Sequence, residues 1–136
     1  MAKSLFEQQL EKKIVILDGA MGTMLQQAGL SAADFGGEEY EGCNEYLNKT
    51  APHVLERIHR AYLEAGADVI STNTFGSTNI VLDDYDLGDE AEELSQLAAE
   101  LAKAAAVEYS TADWPRFVAG AMVDDKVSLC NRRSYL

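Results

Sequence analysis

The run Ile14 to Thr23, IVILDGAMGT, limits what this chain can fold into more than any other stretch. Ile14 to Leu17 are consecutive aliphatics rich in β-branched side chains, the pattern of a parallel strand buried on both faces. Asp18 closes that strand, and Gly19 and Gly22 then let the backbone turn tightly without a Cβ. Amide N–H groups and one carboxylate can converge there on a small ligand. The same residues also suit a plain strand-to-helix turn capped by Asp18, and spacing alone leaves both readings open. The glycines do not complete G-x-G-x-x-G, so the turn is not a dinucleotide fingerprint.

Further along, the chain alternates. Ser4 to Glu7 has the S-x-x-E form of a capping box, which predicts a helix from about Leu5 to Lys12. A short helix is expected over Thr23 to Ala28. Ser31 to Thr50 is polar, weakly periodic and too long for a bare connection. It reads either as a loop folded over a site or as a solvated acidic surface loop. Thr50 and Pro52 suit the start of a helix that carries Val54, Ile58, Ala61, Tyr62 and Ala65 at helical spacing and ends at Gly66. His53 and His59 on that helix miss the i, i+4 spacing of a metal pair and are expected to face solvent or lie half-buried.

Ala67 to Ser71 reads as a second strand that runs into Thr72, Asn73 and Thr74. Leu87 to Asp89 is a turn. Glu90 to about Tyr109 is an alanine-rich helix with Leu94, Leu97, Ala98, Leu101 and Ala105 on one stripe and acids crowding its first turn. Arg116 to Ala121 is a third strand. The order is therefore the α/β alternation of a parallel sheet, in which ligand sites lie at the carboxyl ends of the strands. Asp18, Gly19, Ala20, Thr72, Asn73 and Thr74 are nominated as one face of such a pocket.

Composition narrows the partners. Among 136 residues, 11 basic against 23 acidic side chains give a formal charge of -12, which repels phosphate backbones and anionic lipid. Nucleic acid and membrane surfaces are thus not expected partners. No apolar stretch approaches the roughly 20 residues of a membrane span, and the polar start lacks a signal-peptide core; the expected compartment is cytoplasmic. Cys43 and Cys130 lack a C-x-x-C partner and read as free thiols.

Four strings carry a resemblance: ILDGAMGTMLQ from Ile16 to Gln26, NEYLN from Asn44 to Asn48, IHRAYLEAGAD from Ile58 to Asp68, and TNTFGST from Thr72 to Thr78. In this order they resemble the start of the homocysteine-binding domain of cobalamin-dependent methionine synthases, within the homocysteine S-methyltransferase family. The resemblance implies a TIM barrel that holds homocysteine at its carboxyl-end face with the sulfur on zinc. It implies that Asp18 holds the substrate amino group and that the amides of Gly19, Ala20 and Met21 suit its carboxylate. Thr72, Asn73 and Thr74 would lie beside the same pocket. The methyl group would come from cobalamin on another module, recharged from folate on a third.

The chain also departs from that family. The zinc-ligand motifs, of N-C and G-G-C-C-G type, do not occur in it, so no metal ligand and no catalytic residue is assigned. After Met122 the family's G-P-T-type turn is replaced by Val123-Asp124-Asp125-Lys126. The expected partition is a partial homocysteine-binding barrel over 1–122 and a divergent tail over 123–136. A (β/α)8 barrel needs roughly 250 residues, so about three β/α units leave the barrel incomplete. The alternative is a non-catalytic binding or interaction fragment completed by another chain; a zinc-independent binder on a rearranged sheet ranks below both.

Overall fold

The structure is a computed structural model, and it describes residues 2–123. Helix α1 spans Leu5–Lys12, as its capping box predicts: Glu7 N donates to Ser4 Oγ at 3.3 Å and Ser4 N donates to Glu7 Oε2 at 2.7 Å. The chain then runs extended to Asp18 and turns into α2, Met21–Gln27. Helices α3 (Leu47–Thr50) and α4 (Pro52–Glu64) follow, then strand β1 (Val69–Ser71), α5 (Asn79–Leu82), α6 (Ala91–Tyr109) and strand β2 (Phe117–Ala119). Gly66 ends α4 at φ +105°, a left-handed conformation that costs glycine little.

β1 and β2 pair in parallel, with Val69 opposite Phe117, Ile70 opposite Val118 and Ser71 opposite Ala119. Residues 14–18 lie along the other side of β1. Asp68 N donates to Ile16 O at 2.8 Å, Asp18 N donates to Val69 O at 2.9 Å, and Leu17 bridges Val69 in parallel. The result is mixed α/β with a small parallel sheet.

The first strand departs from expectation. It makes one bridge rather than a full ladder, and Ile14, Ile16 and Leu17 are 84%, 51% and 57% exposed. An aliphatic run buries both faces only when layers cover both; among the described residues this segment pairs with β1 alone. Thr50 does not cap α4 either, because Ala51 takes that position and Thr50 Oγ1 donates to Tyr46 O.

Helices α4 and α6 pack on β1 through Leu63, Ile70, Ala102, Ala105 and Ala106. The buried stripe of α6 is Leu94, Ala98, Ala102, Ala105 and Ala106, small side chains that let two helices approach closely, while Leu97 and Leu101 are only half-buried. The Ser31 to Thr50 stretch is not simply solvated. Phe35 and Leu47 join Leu25, Val54, Leu55 and Ile58 in one cluster, and Cys43 joins Leu82, Leu87 and Leu94 in another. These apolar anchors press the intervening polar residues onto the carboxyl ends of the strands.

Candidate functional site at the carboxyl ends of the strands

The site begins with Asp18. Its Oδ2 accepts from the backbone N–H of Ser71 at 2.8 Å and its Oδ1 from the Ser71 hydroxyl at 2.9 Å. Ser71 is the last residue of β1, so the strand pairing itself brings these groups together. Asp18 makes no ion pair among the described residues. A carboxylate offers about four lone-pair positions, and Ser71 occupies two of them.

The turn after Asp18 lies against α4. Tyr62 Oη donates to Ala20 O at 3.2 Å, and a Cβ on Gly19 would come within 3.0 Å of that same oxygen. Close approach to the phenol, not a special backbone angle, is therefore what favours glycine here. The amides of Gly19 and Ala20 donate no hydrogen bond within the described residues.

A cleft of about 360 Å³ opens where the turn meets the end of β1. Gly19, Ala20, Met21, Thr72 and Asn73, all expected from sequence, line it together with Gly22, Asn44, Glu45, Ser71, Phe75 and Ala121. Asp18 and Thr74 do not line it. Asp18 is half-buried beside Ser71. Thr74 Oγ1 donates to Ala121 O at 2.7 Å and lies 2.6 Å from Thr72 Oγ1, while Ala121 N donates to Thr72 Oγ1 at 3.0 Å. The two threonines thus lock the end of β1 to the end of β2.

The Asn44 to Asn48 stretch is stitched over the same strand end. Asn73 Nδ2 donates to Asn44 O, Asn48 Nδ2 donates to both Asn73 O and Glu45 O, and Gly76 N donates to Glu45 Oε1, each at 2.8 Å. Of the two readings of this region, the loop folded over a cleft describes the geometry. Asn44, Glu45 and Ser71 join the site beyond the residues that the sequence nominates. The N-E-Y-L-N string and the polar end of the second strand were the signals that pointed to them.

His59 corrects an expectation. Its side chain is fully enclosed in α4, 1% exposed, and Nδ1 has no partner, whereas His53 is exposed. Burial pushes the imidazole pKa down, against a smaller upward pull from the Asp18 charge. Helical spacing marks a buried face but does not say how deep each position lies.

No group of three or more His, Cys, Asp or Glu among the described residues is arranged to hold a metal ion. Cys43 is sealed among leucines, and burial pushes its thiol pKa up, away from the thiolate that a metal needs. Cys130 lies outside the described residues. The described residues do not fit a zinc site. No helix among them is long and apolar enough to cross a membrane.

This α/β fold with its cleft at the strand ends has solved counterparts. It is similar to the homocysteine methyltransferase MmuM from Escherichia coli in its oxidized form, with a TM-score of 0.77 and 24% identity, over 98% of this chain and 45% of that one. The metallated form gives a TM-score of 0.75 at 24% identity, over 96% of this chain and 45% of that one. The chain belongs to the Homocysteine S-methyltransferase family, whose model matches residues 15–134 and so reaches into the stretch after Met122. It is 50% identical over 113 residues to methionine synthases of Mycobacterium leprae and Mycobacterium tuberculosis. Those matches cover 83% of this chain and 9% of each relative's length.

Proposed function

We propose that this chain is the homocysteine-binding part of a methionine synthase, built from the first β/α units of a (β/α)8 barrel. The observation that carries this reading is the state of Asp18: a half-buried carboxylate steadied by neutral donors, with no cation of its own among the described residues, beside a cleft. The protonated amine of an amino acid supplies the missing charge, and a charge-assisted contact is about twice as strong as a neutral hydrogen bond. The amides of Gly19, Ala20 and Met21 receive the carboxylate. Thr72 and Asn73 set the wall against which the rest of the ligand lies, and Thr74 acts behind that wall by fixing Thr72.

Methyl transfer to the homocysteine thiolate belongs to the complete protein. Zinc, cobalamin and folate sites are assigned to polypeptide beyond this chain, since its described residues do not fit a zinc site. Residues 1–122 are the partial barrel in this reading. The test is calorimetric titration of the purified chain with L-homocysteine. Asp18→Asn keeps the shape and removes the charge, so affinity should fall at least about tenfold, the worth of a hydrogen bond to a charged group. Equal affinity in the two proteins would remove Asp18 from the site.

A second reading, a non-catalytic fragment completed by another chain, draws on the exposed Ile14, Ile16 and Leu17 along the outer side of the sheet. It predicts no homocysteine binding by the isolated chain and binding once the later strands are added in trans.

A further inference from the structure

The wall of the cleft carries a charge that the proposed reading does not use. We propose that Glu45 is a second ligand-binding carboxylate, which meets the ammonium group of the bound amino acid and so sets its orientation. This rests on the reading that the cleft takes an amino acid.

Glu45 is the one charged side chain among the described residues that line the cleft. Asp18 is bound to Ser71 and does not line it. Glu45 is half-buried, and none of the ion pairs among the described residues includes it. A carboxylate in a partly desolvated cleft attracts a cation more strongly than one in open water does, and repels an anion as strongly. An amino acid carries one charge of each sign. Its ammonium is therefore drawn toward Glu45 and its carboxylate turned away.

The side chain is also held in place. Oε1 accepts from Gly76 N at 2.8 Å, which leaves Oε2 without a partner among the described residues. Gly76 permits that approach, since a Cβ there would lie 2.9 Å from Oε1 and 3.1 Å from Cδ. The backbone around Glu45 is tied to the end of β1 as well: Asn44 O accepts from Asn73 Nδ2, and Glu45 O accepts from Asn48 Nδ2, which also donates to Asn73 O. A carboxylate fixed in advance loses less freedom when a ligand arrives. A plain latch onto Gly76 needs an acceptor but no charge, and a glutamine amide supplies one.

The experiment titrates the full chain, Glu45→Gln and Glu45→Asp with L-homocysteine and with 4-mercaptobutanoate, the same molecule without its amine. Glu45→Gln should bind homocysteine at least about tenfold more weakly, the worth of a hydrogen bond to a charged group, and 4-mercaptobutanoate no more weakly than the parent does. Glu45→Asp keeps the charge on a side chain one methylene shorter, and its preference for homocysteine should fall between those of the parent and Glu45→Gln. Unchanged homocysteine affinity in Glu45→Gln, or equal weakening for both ligands, overturns the proposal and makes Glu45 a latch. A preference in Glu45→Asp no greater than in Glu45→Gln overturns it too. Each of these results leaves the functional reading standing, whereas a parent chain that binds no homocysteine ends both.

Discussion

The two ends of the small sheet each hold an aspartate, and they treat it oppositely. At the amino end Asp68, 2% exposed, accepts from Lys13 Nζ, from Ile16 N at 2.9 Å and from Trp114 Nε1 at 2.6 Å. Arg116 stacks on the same indole at 3.6 Å and donates to Leu63 O and Ala67 O, so the cluster ties α4, β1 and the approach to β2 into one unit. At the carboxyl end Asp18 has Ser71 and no cation among the described residues. A buried acid with its own cation is spent on holding the fold. One steadied by neutral donors alone is, in the proposed function, left to meet the charge of a ligand.

Substitution of the two acids is the most direct way to break that contrast. Asp68→Ala strands a lysine and an indole N–H and should cost on the order of 3 kcal/mol, read as a lower urea midpoint at unchanged slope. Asp18→Ala should cost about 1 kcal/mol and act on ligand affinity instead. Equal losses of stability would erase the distinction between the two ends.

Acid sharpens it further, because the two ends respond in different windows. Burial alone raises the Asp68 carboxyl pKa, but Lys13, Ile16 and Trp114 together overcome it and hold the pKa below 3.8. Its contribution is present above 3.8 and is lost as pH falls through the lower folded value. His59, beneath the carboxyl end, is depressed below 6.5. The unfolded chain binds that proton first, so stability is full above 6.5 and is lost as pH falls from there through the folded value, by at most about 1.4 kcal/mol per pH unit. Denaturation at pH 7.5 and 5.5 should show this drop in the parent, and His59→Gln should flatten it. An identical drop in the variant would assign the effect elsewhere.

The smallest effect belongs to the solvent-facing ion pairs. Lys49 with Glu90 and Glu93, and Arg60 with Glu108, are open to water, and such pairs contribute about 0–1 kcal/mol. Lys49→Ala and Arg60→Ala should each move the midpoint by less than about 0.5 kcal/mol and leave ligand affinity alone. A larger effect would show that the outer helices, and not only the strand ends, govern the cleft.

Local rules carried the reading of the sequence wherever neighbours in the chain decide the outcome. The S-x-x-E box placed α1, Pro52 and Gly66 bounded α4, and the acidic first turn announced α6. The D-G-x-x-G turn and the polar strand end at Thr72 to Thr74 were visible for the same reason. Short α5 was missed because four residues, Asn79–Leu82, show no period. The burial of His59 and the exposure of Ile14 are not legible in the sequence, because depth depends on what lies across from a residue and a one-dimensional pattern does not contain that.

The amino-acid order alone determined the α/β alternation, the excess of acid and the family strings that nominate the cleft. Tertiary packing decided which oxygen meets which donor: Ser71 on Asp18, Tyr62 on Ala20, Asn73 on Asn44. Each of these contacts joins residues distant in sequence, and a hydrogen bond forms only at close range and good angle. That geometry comes from parallel pairing of the strands and from α4 seated beneath them.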